Sequence, residues 1–192
     1  MTTNTDSTEV INELASHYAE IIRLIGEDPS REGLVDTPMR AAKAMYYLTR
    51  GYRQNIEELI HGAMFEPPGS GMVVVRDIEF YSLCEHHILP FFGTVSVGYL
   101  PGEKIVGLSK VARLVDLFAR RLQVQERFAQ QLCDTLYEHL QARGVMVSCR
   151  ARHLCMQMRG VEKQSATTVT VAASGAFKTD EPLRYQFFQA IS

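Results

Sequence analysis

The chain lacks any apolar run long enough to cross a bilayer. No stretch of about 18 consecutive hydrophobic residues occurs, so no membrane span is expected. Its first ten residues, MTTNTDSTEV, carry neither a basic start nor an apolar core, so no secretory signal is read there. Cysteine is scarce. Cys84, Cys133, Cys149 and Cys155 are too few in 192 residues for a disulfide scaffold, and with no export signal they point to a reduced, cytoplasmic setting. In that setting cysteines act as metal ligands, nucleophiles or small buried hydrophobes. Charge of one sign is missing too. Twenty Lys and Arg against 22 Asp and Glu leave a net charge of −2, which argues against a protein that coats nucleic acid or lies on a membrane surface. Any anionic ligand must then be held by a local basic cluster. No internal repeat or low-complexity tract is present.

What remains is ordinary globular composition, 46% hydrophobic, at a length that suits one compact domain with a helical appendage. After a polar Met1–Thr5, the Asp6-Ser7-Thr8-Glu9 segment caps a helix whose face carries Val10, Leu14, Ile21, Ile22 and Ile25. Gly26 to Gly33 reads as a loop. Thr37-Pro38 opens a second helix that Gly51 closes, and a short helix around Ile56–Ile60 ends at Gly62. Residues 1–71 are thus expected to form an N-terminal helical region and 72–192 a second region of mixed strands and helices. The latter begins with a strand in MVVVRDIEFYSL and a second in Thr94–Tyr99. A helix capped by Ser109 follows, and another runs from about Glu126 to a stop at Gly144. VMVSCRARHLCMQM and SATTVTVAAS read as two more strands, and a last short helix begins near Asp180. The order implies an α+β fold with a four-stranded antiparallel sheet, whose open edges favour assembly into a larger ring or barrel.

Cys84-Glu85-His86-His87 places a thiolate and an imidazole three positions apart just after a strand, a spacing that lets both converge on one ion. Alternation along Val145–Met158 puts His153 and Cys155 on one face with Arg159, which makes Cys155 the candidate third ligand. Three protein ligands and an open fourth position describe a catalytic zinc site, whereas structural sites are closed by four ligands. Cys133 and Cys149 have no ligand-like neighbours and read as core. Gly107-Leu108-Ser109-Lys110 opens a helix with Arg113 one turn on, so free backbone N–H groups and side-chain cations converge as they do in phosphate sites.

SLCEHH, GLSKVAR, RRLQVQER and HLCMQMRGV, in this order and spacing, closely resemble GTP cyclohydrolase I, and GEDPSREGLVDTPMRAAKAM is similar to that family as well. The resemblance runs from about Gly26 to Phe177. It implies a T-fold, in which antiparallel sheets of several subunits close into a barrel with helices packed outside, and a toroidal homodecamer with active sites at subunit junctions. It implies hydrolysis of GTP to formate and 7,8-dihydroneopterin triphosphate, the first step of pterin and folate synthesis. Zn2+ on Cys84, His87 and Cys155 would activate water. His153 would act as acid–base, with His86 orienting water or the ribose side and Ser109 assisting the later proton movements. Glu126 would read guanine with help from Gln125, while Lys110, Arg113 and Arg159 hold the triphosphate and Arg40 reaches in from a neighbouring subunit. Another T-fold enzyme, a deazaguanine nitrile reductase, would leave His87 and the basic cluster without a role. A zinc-stabilised binding module would need the metal closed by a fourth protein ligand.

Overall fold

The β-branched and aromatic runs of the sequence lie between residues 73 and 175, and it is there that a computed structural model of the chain forms its sheet. Residues 7–60 and 62–192 are described. The polar Met1–Thr5 and the capping Asp6 lie outside them. The chain divides into two compact units, one ending at Arg50 and one spanning Gly51–Ser192. The first holds α1 (Ser7–Leu24) and α2 (Thr37–Leu48), which pack together. Asp36, not Thr37, takes the N-cap position of α2, with Pro38 in the first turn. The helix ends at Leu48 with Thr49 as its cap, so Gly51 does not close it.

Gly51 serves a different purpose. It lies in a 3-10 turn (Arg50–Arg53), donates its N–H to the Arg120 carbonyl at 2.9 Å, and passes so near the chain that a Cβ would sit 2.1 Å from the Leu117 carbonyl oxygen. That carbonyl is backbone and cannot swing aside. Gly51→Ala is therefore expected to destabilise the second unit by about 2–3 kcal/mol. A thermal melt should register a drop of roughly 4–10 °C. An unchanged melting temperature would mean that the approach is looser than this.

The second unit continues with α3 (Ile56–Ile60), β1 (Met64–Phe65), β2 (Val73–Cys84), β3 (Pro90–Leu100), β4 (Ile105–Val106) and α4 (Leu108–Ala119). There follow β5 (Leu122–Gln123), α5 (Gln125–His139), β6 (Gly144–His153), α6 (Leu154–Gln157), β7 (Thr168–Gly175) and α7 (Glu181–Ile191). The α+β order expected from the sequence is observed. The main sheet has five strands, not four, in the order β5-β2-β3-β6-β7. Its pairs are antiparallel except β5, whose two residues run parallel to the end of β2. β1 and β4 form a separate antiparallel pair. Two-residue strands show no measurable period, so no sequence pattern announces them.

Gly107 rather than Ser109 is the N-cap of α4, so Ser109 lies inside the first turn. Likewise α5 ends at His139, and Gln141 takes the left-handed conformation (φ 47°) that a stop at Gly144 would have supplied. Gly144 instead begins β6, opposite Gly175. One face of the sheet is sealed by α4 and α5. Val111, Leu114, Phe118, Phe128, Leu132 and Leu136 bury against Val95, Val97, Val147 and Cys149. Cys133 and Cys149 are both buried there, as expected from the sequence. Burial pushes their thiols up to about 11 and about 12. A smaller cluster joins Phe187 of α7 to Met146 and Phe177. Among the described residues, no helix is long and apolar enough to cross a membrane.

Candidate active site

The hairpin between β2 and β3 gathers the first ligands. The Cys84 N–H donates to the Leu89 carbonyl at 2.8 Å, while the Cys84 carbonyl accepts from His87 (3.2 Å) and Ile88 (2.7 Å). This winds the loop so tightly that Ile88 takes φ +55°, a left-handed conformation that costs a β-branched residue about 1–3 kcal/mol. The return is proximity: Cys84 Sγ lies 3.7 Å from His87 Nδ1 and 3.9 Å from His86 Nδ1.

Cys155 arrives from the neighbouring strand. β3 and β6 pair with Phe91 opposite His153, so the end of β6 lies beside the start of β3, next to the hairpin loop. The strand stops at His153, however, and Leu154–Gln157 form one helical turn. Strand alternation therefore does not bring Cys155 to Cys84 and His87; the turn does. Leu154, Cys155, Met156 and Gln157 include no β-branched residue, and three of them favour helix. The turn is tied to the following loop by two hydrogen bonds from side-chain amides, Gln157 Nε2 to the Gln164 carbonyl (2.8 Å) and Gln164 Nε2 to the Gln157 carbonyl (2.6 Å).

The ligand atoms of Cys84, His87 and Cys155 all lie within 4.8 Å of one another, a group able to hold a metal ion. Cys84 is buried, Cys155 half-buried and His87 exposed. The Cys155 thiol is pushed up by burial and then by the charge of Cys84 beside it. Two thiolates this close repel unless a cation lies between them, and a bound metal supplies that cation. Arg159 reaches the same spot, with Nη1 3.3 Å from His87 Nε2 and 3.2 Å from the Cys155 carbonyl oxygen. His86 is exposed beside Glu85, whose carboxylate accepts from Arg127 Nη1 at 2.6 Å. That guanidinium holds the Glu85 carboxyl below its ordinary range. The Glu85–Arg127 pair links the ligand hairpin to α5 and has no sequence signal, because 42 residues separate its members.

His153 closes β6 half-buried, its ring stacked flat on Phe91 with centroids 4.7 Å apart and planes 2° from parallel. Burial lowers its pKa, and the negative charge of nearby Glu126 partly offsets this. Its Nε2 lies 2.8 Å from Gln125 Oε1. Gln125 is buried and opens α5; Glu126, the next residue, is exposed and makes no side-chain hydrogen bond among the described residues. Ser109, Lys110 and Arg113 stand together in the first two turns of α4, with no hydrogen bond or ion pair to the metal group among the described residues. Arg40 belongs to the N-terminal unit, where its guanidinium pairs with Asp36 at 2.9 Å.

The GTP cyclohydrolase I family model matches residues 14–192. GTP cyclohydrolase 1 1 of Pseudomonas aeruginosa is 53% identical over 178 residues, 93% of this chain and 96% of that one. GTP cyclohydrolase 1 of Leptospira biflexa is 55% identical over 172 residues, covering 90% and 94%. The Porphyromonas gingivalis enzyme of the same name is 50% identical over 189 residues, covering 98% and 97%. Among solved structures, the archaeosine synthase QueF-Like in its apo form superposes on 56% of this chain and 97% of its own, with TM-score 0.46 and 19% identity. With Cys84, His87 and Cys155 converging as the motifs require and the family model matching nearly the whole length, the chain belongs to the GTP cyclohydrolase I family.

Proposed function

We propose that this protein hydrolyses GTP to formate and 7,8-dihydroneopterin triphosphate, using zinc held by Cys84, His87 and Cys155. The observation that carries this reading is the convergence of those three donors, one of them two residues after His153, in a chain of this family. The donor set fits the metal. Sulfur and nitrogen ligands of a tetrahedral zinc lie about 3.6 Å apart. Cys84 Sγ and His87 Nδ1 are 3.7 Å apart. Bound there, zinc supplies the Lewis acidity that lets water attack C8 of guanine near neutral pH.

The chain's own residues do the rest. His153 takes and returns protons as the imidazole ring of the base opens, a task suited to a histidine resting neutral. His86, exposed beside a ligand, orients water on the ribose side. Two waters enter during opening and release of formate, and one leaves when the new ring closes. Ser109 assists the proton movements of that later stage. Lys110, Arg113 and the free N–H groups of α4 hold the triphosphate together with Arg159, and Arg40 joins them from a neighbouring copy. Assembly into a homodecamer with closed sheets is supported by what a single copy leaves uncovered. Ile21, Leu24 and Ile25, on and just after α1, are 50, 68 and 73% exposed, and Val169 and Val171 are exposed on the edge strand β7. The reduced thiols fit a cytoplasmic setting.

Glu126 is the guanine reader in this scheme: one carboxylate accepts from both N1–H and the 2-amino group. Gln125 contributes to base contact through its backbone, since its side-chain amide is taken up within the chain. Glu126→Gln swaps one acceptor oxygen for a donor facing a donor, so kcat/KM for GTP should fall by about 10²–10⁴-fold. Its metal content should stay unchanged, because the Glu126 side chain makes no hydrogen bond or ion pair among the described residues. Metal lost together with activity would assign Glu126 a structural role. The reading as a whole is tested by incubating zinc-loaded protein with GTP while following dihydropterin absorbance and formate. Formate without the pterin band would mean ring opening without cyclisation, and the absence of both signals would overturn the proposal.

A further inference from the structure

The first turn of α5 presents two neighbouring polar residues with opposite surroundings: Glu126 is exposed, and Gln125 is 1% exposed. A buried amide must satisfy its hydrogen-bonding groups inside the protein, so its partners reveal what it is for. Gln125 Nε2 lies 3.0 Å from the Cys149 carbonyl oxygen, 3.1 Å from the Thr168 carbonyl oxygen and 3.2 Å from Thr170 Oγ1. These atoms belong to the paired strands β6 and β7. Two of the three are carbonyls, which only accept. The amide cannot be turned over without setting its oxygen against both of them, so Oε1 is fixed on the opposite side. There it meets His153 Nε2 at 2.8 Å. An amide oxygen also only accepts, so the network assigns the ring proton to Nε2. The flat stack on Phe91 fixes the plane of the same ring.

We infer that the side chain of Gln125 is a positioning residue for the proposed reaction, holding His153 in one rotation with its proton on Nε2 and leaving Nδ1 as the nitrogen that exchanges protons with substrate. The inference rests on the acid–base role of His153 given above. It separates two duties on consecutive residues: Glu126 recognises the base and Gln125 aims the histidine. The logic is that of a buried group orienting a catalytic imidazole, where the wrong tautomer leaves the geometry intact and the rate low.

The test uses zinc-loaded holoenzyme carrying Gln125→Met or Gln125→Glu. Methionine has the shape of glutamine but neither its donor nor its acceptor. A buried glutamate that keeps its proton offers the same pair, a donor to the carbonyls and an acceptor for Nε2–H. Gln125→Met should lower kcat by about 100-fold with KM for GTP and zinc content little changed, and Gln125→Glu should recover most of that loss. The tautomer is read directly by solid-state NMR of [15N]histidine-labelled protein without substrate. The chain has six histidines, and the His153 signals are those absent from a His153→Gln control. Wild type and Gln125→Glu should show Nε2–H, and Gln125→Met a mixture. A raised KM with kcat intact would make Gln125 a base reader and overturn the inference. Equal losses in both variants with an unaltered tautomer would make it packing alone, and wild-type His153 protonated on Nδ1 would overturn it whether or not the variants fold. Absence of formate from wild type would sink the proposed reaction instead, and the NMR result would still stand on its own.

Discussion

Alanine at position 153 is expected to leave a folded, fully metallated protein that releases formate about 10³-fold more slowly than wild type. The ligands survive the change. Cys155 lies on the helical turn that follows and is held by its own bonds, among them the Gln157–Gln164 pair. The fold loses a ring stacked on Phe91 and leaves Gln125 Oε1 without its donor, a cost of about 1–3 kcal/mol that a unit of this size can bear. What would disappear is the group that, in the proposed reaction, exchanges protons with the opening base. Burial sets the pKa of His153 below that of a free histidine, so the ring is neutral at pH 7 and ready to take a proton. As pH falls through that lowered value the ring charges and ceases to act as a base, so wild-type activity should fall on the acid side. Formate and pterin assays on metal-matched samples decide the matter. A variant within tenfold of wild type would remove His153 from the chemistry.

Stripping the metal is the second large effect. Chelation should abolish turnover, and zinc should restore it as long as the protein has been kept reduced. In air the apo-protein should lose this reversibility, because Cys84 and Cys155 place their sulfurs within 4.8 Å of each other with no cation to separate them. The two thiols give up two protons and two electrons to dioxygen, yielding peroxide and one disulfide. The other two cysteines cannot confuse the result. Cys133 and Cys149 stay protonated and buried, at about 11 and about 12. Titration of denatured protein should then find four thiols in the holo form and two in the aerated apo form, with a reductant returning both thiols and zinc-dependent activity. Four thiols in aerated apo-protein would show that the hairpin and the helical turn hold the sulfurs too far apart to bond.

Much of the site is legible in the sequence because its residues are close together or carry distinctive chemistry. Cys84 and His87 share one hairpin, and a thiol beside two imidazoles at the end of an apolar strand suits metal binding far better than core packing. Cys155 joins them as the sequence implies, but by a different geometry: strand alternation does not extend through a segment whose residues wind into a helical turn. Gln125 looks like a substrate contact because it precedes Glu126, and nothing in a single glutamine signals which way it faces. Its partners lie 24 to 45 positions away, brought close only when β6 and β7 pair beneath α5. The same holds for Glu85 with Arg127. The helices of the core follow from their apolar spacing. Their ends are less legible, since Gly51 and Gly144 resemble helix stops yet answer to close packing and to a strand.

The order of the strands also sets when the site comes into being. β2 and β3 are neighbours in sequence, as are β6 and β7, and each pair forms by short-range closure. The pairing of β3 with β6 is different. It spans the whole of α4 and α5, joins Phe91 to His153, and has a far larger loop to close. Only that step brings the hairpin thiol and the thiol after β6 within reach of one another. The three candidate ligands are therefore expected to meet late in folding, so that metal would bind only chains that have completed the central sheet. Refolding followed by a zinc-sensitive dye should show metal uptake lagging behind helix formation; simultaneous signals would mean that the ligands meet before the strands do.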